Sequence, residues 1–172
     1  MGIIKYISTD QVLAQHKAMG THISLQIYGA REDPEKILDQ TKVLIDHFED
    51  LLTVNRNLDH PRYGLSEVTR VNDQAGKEAV QVSSSVYGLI KLAVETSREN
   101  FGFNALIGPL VKLWSIGFQD ARVPSDAEIQ EKMKLIDPWM VELNDDDHTV
   151  FLKQEGMELD LGGIAKGWTA DR

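Results

Sequence analysis

The last residues of the chain, LDLGGIAKGWTADR (159–172), place an acid, a glycine pair and a lysine within a few positions of one another. Asp160 ends an apolar run, Gly162 and Gly163 follow it, and Lys166 lies where a helix begins. A strand, a glycine turn and a helix in this order can bind an anion such as phosphate, because helix N–H groups and a lysine favour negative charge. The spacing matches neither a Walker A motif nor a dinucleotide fingerprint. The alternative interpretation is a tight turn with a surface lysine.

Three other stretches carry polar or glycine residues beside apolar elements. Asn55, in TVNRN, follows an apolar helix, and its amide could bind a planar polar ring, although a solvated loop needs no function. Asn104 follows Gly102 and Phe103 in an otherwise apolar run, where glycines could expose backbone to a ligand; buried core is the ordinary interpretation. Met19 precedes a strand and could cover an aromatic ligand or simply begin the strand.

The sequence argues against several other kinds of site. The 5 histidines are scattered and show no metal-binding spacing such as H-E-x-x-H. The acidic residues 145–147 lack the glycine and distal glutamate of an EF-hand loop, so a hairpin turn is the better interpretation. With 0 cysteines, the chain has no disulfide, thiolate metal site or cysteine nucleophile, which fits a reducing compartment.

The composition indicates a globular domain with a sizeable core. The 172 residues are 42% hydrophobic and 26% charged. The formal net charge of -9 argues against a general nucleic-acid binder, which needs a basic face. The sequence contains no apolar run of about 18 residues that would span a membrane. Its first residues lack the apolar core of a signal peptide, so we expect the chain as written to be cytoplasmic.

Hydrophobic periodicity predicts the elements of the first half of the chain. Residues 21–29 alternate as a half-buried strand, and Asp33-Pro34 opens an amphipathic helix over 34–52. A polar loop covers 53–67, with a short helical turn after it. We then expect a strand at 78–83 and a helix that begins at Ser83 to Ser85 and ends near Asn100 and Gly102.

The second half of the chain is predicted to hold shorter elements. Residues 105–118 are either an irregular buried segment or two short pieces, and a capping box at 125–128 opens a helix that reaches about Ile136. Three strands should follow, joined by hairpin turns; they are 139–143, 148–153 and 157–161, with turns at 144–147 and 154–156. Because helices and strands are grouped, the predicted class is α+β.

Four stretches, in this order, resemble the ApbE family of FAD:protein FMN transferases: AMGTHISLQIYG, LLTVNRN with LSEVTRVN, GFNALIGPLVKLW and LDLGGIAKGWTADR. The resemblance spans about residues 17–172 and implies an antiparallel sheet with packed helices. Members of the family cleave FAD and attach FMN through a phosphoester to a Ser or Thr of a target protein, with Mg²⁺. The implied partners are therefore FAD and an acceptor protein.

The resemblance also implies roles for individual residues. Cofactor contacts fall on Met19, Asn55, Gly102, Phe103, Asn104, Asp160 and Lys166, and a carbonyl that coordinates Mg²⁺ falls on Gly163. The family usually has tyrosine where this chain has Asn55, a change that would alter the flavin stack and the balance between FMN transfer and FAD hydrolysis. Asn104 replaces an aspartate, Leu106 a threonine, and Lys166 a residue that is often glutamate.

Family members continue well beyond the glycine turn at 162–167, so the resemblance predicts that residues 1–172 are an N-terminal half. The Mg²⁺ cluster and an assisting histidine would then lie elsewhere.

An incomplete transferase, an FAD pyrophosphatase and a non-catalytic flavin-binding fragment are the alternatives, and bound-flavin absorbance would separate them from a chain that binds nothing. We also expect self-association through 139–172, which light scattering would detect. If a signal was removed, the alternative location is an extracytoplasmic, membrane-anchored lipoprotein.

Overall fold

The computed structural model describes residues 4–8, 11–29, 33–99, 101–117 and 119–172. The chain divides into two compact units, Met1–Leu51 and Leu52–Arg172. Both contain a three-stranded antiparallel sheet and helical structure, which confirms the predicted α+β class. Among the described residues, no helix is long and apolar enough to cross a membrane.

The first unit is an antiparallel sheet, in the order β1-β2-β3, followed by a long helix. Its elements are β1 Ile4–Ser8, β2 Gln11–Ala18, β3 Thr21–Tyr28 and α1 Pro34–Leu52, whose last residue opens the second unit. β2 and β3 are joined by Met19 and Gly20, both with positive φ (50° and 69°), as in the turns that suit two-residue hairpins. The strand at 21–29 and the helix at 34–52 are confirmed, whereas β1 and β2 were not predicted.

The core of the first unit forms between its sheet and α1. Val12 and Ala14 of β2 pack with Leu38 of α1, and Leu25 and Ile27 of β3 pack against them. Asp33 begins the helix as predicted, since its Oδ1 accepts a hydrogen bond from the Lys36 N–H at 3.2 Å. His16 of β2 and Asp46 of α1 add a contact of 2.6 Å between Nε2 and Oδ1.

The second unit packs around one face of its longest helix, α3. Its elements are α2 Glu67–Asp73, β4 Val80–Gln81, α3 Ser84–Arg98, α4 Gly108–Trp114, α5 Asp126–Met133, β5 Val141–Asn144, β6 Thr149–Leu152 and α6 Ala165–Ala170, with single 3-10 turns at Tyr63–Leu65 and Pro138–Met140. The sheet order is β4-β6-β5, antiparallel throughout. The predicted apolar stripe of α3 is buried as expected: Val86, Leu89, Ile90, Ala93 and Val94.

Several predicted boundaries are wrong by a few residues. The strand predicted at 78–83 is only two residues long, as β4. α5 has the predicted capping box but ends at Met133 instead of Ile136. The end predicted for α3 at Asn100 lies outside the described residues, while Gly102 has the positive φ (83°) of a helix-terminating glycine. In the described part of the predicted run 105–118, residues 105–117, the structure has one helix, α4. Pro109 is tolerated in its first turn because the missing N–H would have no intrahelical partner there.

The predicted strand at 157–161 is wrong. The side chains alternate as in a strand, with Met157, Leu159 and Leu161 buried. However, the backbone of Leu159 bonds to the side chain of Asn72, and the N–H of Asp160 donates to the carbonyl of Ala105 at 2.8 Å. The segment is extended, but no strand among the described residues pairs with it. The turn at 154–156 is present, but for the same reason it does not close a hairpin, unlike the confirmed turn at 144–147.

The end of the second unit keeps one large exposed apolar side chain. Trp139 is 67% exposed, although Arg98 lies over its ring at 5.0 Å from the centroid. β5 is an outer strand of its sheet, whereas Trp168 of α6 is buried. Outer strands and exposed apolar surface favour association between chains. Self-association through 139–172 stays a prediction.

The close packing of Gly108 predicts a stability effect. An added Cβ would lie 2.8 Å from both the Cβ and the carbonyl oxygen of Glu158. We therefore expect Gly108→Ala to lower the free energy of unfolding by about 1 to 3 kcal/mol in urea denaturation. The matched control is Gly88→Ala in α3, where an added Cβ meets nothing within 4 Å. That change should raise stability by about 0.5 to 1 kcal/mol, and equal effects of the two would contradict the packing.

Thr169 of α6 predicts a stabilising substitution. Its hydroxyl is buried and has no hydrogen-bond partner among the described residues. Because an unsatisfied buried hydroxyl is costly, Thr169→Val should raise the free energy of unfolding by about 1 kcal/mol. Thr96→Val is the control, since the Thr96 hydroxyl donates to the Leu92 carbonyl at 2.7 Å. Thermal unfolding should show no gain for the control; a loss of stability in Thr169→Val would mean that the hydroxyl has a partner.

Candidate functional site

The loop between α3 and α4 presents backbone at Gly102 and Phe103. The side chain of Ser97 attaches this loop to α3. The N–H of Ala105 donates to the buried hydroxyl of Ser97 at 2.9 Å, and that hydroxyl donates to the Ala93 carbonyl at 2.6 Å. Within the described part of the chain, no hydrogen bond engages the backbone of Gly102 or Phe103. These peptide groups and the half-buried Phe103 ring are what the loop can offer a ligand.

Asn104 stabilises the same loop with its side chain. Its Nδ2 donates to the Ile136 carbonyl at 2.8 Å, and its Oδ1 accepts the Leu106 N–H at 2.8 Å. The amide is thus used to hold the loop against the chain that follows α5. A ligand contact at Asn104 would therefore involve its backbone more readily than its amide.

The segment before the glycine turn connects this loop to α2. Asn72 donates from Nδ2 to the Leu159 carbonyl at 3.0 Å and accepts the Leu159 N–H at 2.8 Å. The next residue, Asp160, bonds to Ala105. Three sequence stretches that are far apart in the chain meet here: α2, the loop 102–106 and the segment 157–161.

The glycine turn itself is closed by short-range contacts. One carboxylate oxygen of Asp160 accepts the Gly162 N–H at 2.8 Å, and the Lys166 ammonium donates to the Gly162 carbonyl at 3.1 Å. Gly163 lies against Phe103, since an added Cβ would be 3.2 Å from the ring atom Cε2. The structure thus brings together five predicted site residues: Gly102, Phe103, Asn104, Asp160 and Gly163. Lys166 belongs to the same turn.

Asn55 lies exposed in a loop whose start is fixed by α2. The carbonyl of Thr53 accepts hydrogen bonds from the hydroxyls of Ser66 (2.6 Å) and Thr69 (3.0 Å). Ser66 also begins α2, because its hydroxyl accepts the Thr69 N–H at 3.0 Å. The Asn55 N–H contacts the Thr53 hydroxyl at 3.4 Å. The loop therefore presents Asn55 from an anchored base.

The far end of this loop is attached to α2 by a tyrosine. The Tyr63 hydroxyl donates to Asp73 at 3.0 Å. Burial raises the pKa of Tyr63, and the negative charges of Asp73 and Glu158 raise it further. Glu158 in turn pairs with Lys112 at 2.6 Å. The carboxylates of Asp73 and Glu158 are thus paired with Tyr63 and Lys112 of the same unit.

Met19 belongs to the first unit, whereas all the other predicted site residues belong to the second. It is half-buried and adopts a positive φ of 50° in the turn between β2 and β3. This geometry is unusual for a residue other than glycine. Its contact with a flavin stays a prediction.

The described residues form no group of three or more His, Cys, Asp or Glu side chains that could hold a metal ion. The predicted Mg²⁺ contact at Gly163 would be one backbone carbonyl, and Mg²⁺ requires octahedral coordination. These residues by themselves therefore do not fit a complete Mg²⁺ site. The arrangement suits binding of a planar, anionic ligand by backbone, ring and lysine better than proton transfer.

The acidic turn at 145–147 is structural, as predicted. Asp145 accepts hydrogen bonds from the Tyr87 hydroxyl at 2.8 Å and from Lys91 at 2.7 Å. Burial and the bond to Asp145 raise the pKa of Tyr87 to about 12, and Lys91 and Tyr87 lower the pKa of Asp145. These contacts attach the β5–β6 turn to α3.

Asn72 is the residue that sequence reasoning missed. It belongs to the quoted stretch LSEVTRVN, but no role was predicted for it. A signal existed, because Asn72 lies four positions after the buried Val68 and beside the buried Val71. Residues four apart share a helix face. A polar side chain on a buried helix face indicates a specific partner.

Comparisons with known proteins identify what the chain as a whole is similar to. The sequence model of the ApbE family matches residues 19–172. Curated relatives named FAD:protein FMN transferase are 44% identical over 155 residues in Klebsiella pneumoniae (strain 342) and 35% identical over 162 residues in Treponema pallidum (strain Nichols). Each match covers 90% of this chain but only 46% and 43% of the relative. The chain thus spans about half the length of the curated relatives it matches.

Solved structures show the same fold. The ApbE protein of Thermotoga maritima has a TM-score of 0.82 at 28% identity, and the match covers 93% of this chain and 50% of that one. The flavin transferase ApbE of Vibrio cholerae has a TM-score of 0.80 at 23% identity, covering 94% of this chain and 51% of that one. With a family match over nine-tenths of its length, this chain belongs to the ApbE family.

Proposed function

We propose that this chain carries the flavin-binding part of an FAD:protein FMN transferase. The observation that carries the proposal is the convergence of α2, the loop 102–106 and the turn 160–163. This convergence joins three of the four stretches that identify the family. The names of two curated relatives support the same activity.

In this proposal the site residues bind and orient FAD. The backbone groups of Gly102 and Phe103, which make no hydrogen bond among the described residues, contact the cofactor, and the Phe103 ring lies beside Gly163. Asn55 would contact the flavin, and Lys166 would favour its anionic diphosphate. Because Lys166 and Asp160 already have partners within the turn, the turn is ordered before the ligand arrives. Such preorganisation lowers the entropic cost of binding.

The proposed reaction exchanges one P–O bond for another. The hydroxyl oxygen of an acceptor Ser or Thr bonds to the FMN phosphorus, the bond to the AMP oxygen breaks, and AMP leaves while the hydroxyl loses its proton. If water replaces the hydroxyl, the same bond exchange is FAD hydrolysis, so the pyrophosphatase alternative needs the same FAD site. Mg²⁺, when bound, would neutralise diphosphate charge, with the Gly163 carbonyl as one ligand.

A non-catalytic flavin-binding role is the second candidate. It is favoured by the engagement of the Asn104 amide within its loop, since the family pattern has an aspartate there. It is also favoured by the lack of a clustered set of acids and histidines among the described residues. This role and the transferase role share the FAD site and differ in the chemistry that follows binding.

Flavin titration and an acceptor assay test the proposal together. The 172-residue chain should bind FAD, seen as a shift in flavin absorbance, and should show little Mg²⁺-dependent FMN labelling of a Ser/Thr acceptor peptide, because one carbonyl does not complete a Mg²⁺ site. FMN and AMP, titrated separately, show which half of FAD is recognised. A chain that binds no FAD would sink the proposal, and efficient labelling would show that the Mg²⁺ site lies within these residues.

Replacing Asn55 tests the predicted flavin contact. Asn55→Tyr should strengthen FAD binding by about 1 kcal/mol if the new ring lies flat on the isoalloxazine. Asn57→Tyr is the matched control, because Asn57 is also exposed in the same loop. Quenching of flavin fluorescence measures both affinities. Unchanged affinity in Asn55→Tyr, or the same gain in both variants, would place Asn55 away from the flavin.

A further inference from the structure

Asn72 makes the longest-range side-chain-to-backbone link described in the second unit. Its amide exchanges two hydrogen bonds with the peptide groups of Leu159, 87 residues further along the chain. Leu159 is fully buried at 0% exposure, so solvent cannot replace these bonds. A side-chain amide can both donate and accept in this geometry.

The two bonds determine which residues of the segment face inward. Leu159 is bracketed by Glu158 and Asp160, and a slip of one residue would turn a carboxylate toward the core. Gly108 lies against the backbone of Glu158, and the Ala105 carbonyl accepts the Asp160 N–H. The segment is therefore bound by α2 at Leu159 and by residues 105–108 at Glu158 and Asp160.

We infer that Asn72 is a positioning residue for the FAD site. It acts through Leu159, which fixes the register of the chain entering the glycine turn and hence the position of Asp160 and Gly163. Through the bond between Asp160 and Ala105, the same contact sets the turn against the 102–104 backbone. This inference rests on the proposed function, because it assigns Asn72 to the positioning of that same site.

Asn72→Asp is the informative variant. It keeps the shape and an acceptor for the Leu159 N–H but places a carboxylate oxygen where Nδ2 donated to the Leu159 carbonyl. Measured on fully folded protein, FAD affinity should fall about tenfold, because part of the binding free energy must then order the turn that Asn72 no longer positions. Val86→Ala in the core of α3 is the control for lost stability, and it should leave the affinity per folded molecule unchanged.

The variant should also be rescued by acid. Burial and the facing carbonyl raise the pKa of the new carboxyl, and its protonated form can donate to the Leu159 carbonyl as the amide does. The ratio of variant to wild-type Kd should therefore fall toward one as pH is lowered. The wild type carries the same surrounding groups, so the ratio cancels their titration; they are Asp73, Tyr63, Lys77, Glu158, Lys112 and Asp160.

The outcomes separate the two proposals. FAD binding by the wild type, with a tenfold loss in Asn72→Asp that acid reverses, supports both. Wild-type binding with equal affinity in Asn72→Asp, or an equal loss in Val86→Ala, overturns the positioning role and leaves the proposed function standing. Failure of the wild type to bind FAD overturns both.

Discussion

The second unit depends on how an extended segment without a strand partner satisfies its backbone. Residues 157–161 run through the interior, where an unpaired N–H or C=O is costly. The Asn72 amide of α2 forms hydrogen bonds with both the N–H and the carbonyl of Leu159, and the Ala105 carbonyl accepts the N–H of Asp160. Because these partners come from a helix and a loop, the glycine turn is attached to α2 and to the loop 102–106 and not to the sheet.

This way of holding the chain suits a binding site made largely of backbone. The side chains of Asn104, Asp160 and Lys166 all form hydrogen bonds within the protein. The groups left for a ligand are the peptide groups of Gly102 and Phe103, the Phe103 ring and the charge of Lys166. Loops positioned by a rigid scaffold commonly carry ligand contacts, since the scaffold keeps them ordered without the ligand. The buried Ser97 hydroxyl connects the loop to the last turn of α3.

The features that could be predicted from sequence are those determined locally. The start of α1 at Asp33, the apolar stripe of α3 and the capping box at Ser125 follow from patterns within a few residues, and all three are present. The segment 157–161 has the alternation of a strand, yet its pairing depends on a side chain 87 residues away. Periodicity reports which side chains are buried and not what the backbone bonds to, so Asn72 was overlooked.

Charge explains why the site should rely on groups other than side-chain cations. The chain has a formal net charge of -9, and Lys112 is already paired with Glu158. The Lys166 ammonium points back to the Gly162 carbonyl, so it meets an incoming diphosphate as a partly satisfied donor. If FAD binds at this surface as proposed, it would approach the carboxylates Asp73, Glu158 and Asp160, and Lys166 would be the nearby cation of the glycine turn. In the proposed function, peptide N–H dipoles and dissolved cations would balance the negative charge of the diphosphate. FAD affinity would then depend on divalent ions even where the contacts to the flavin ring stay the same.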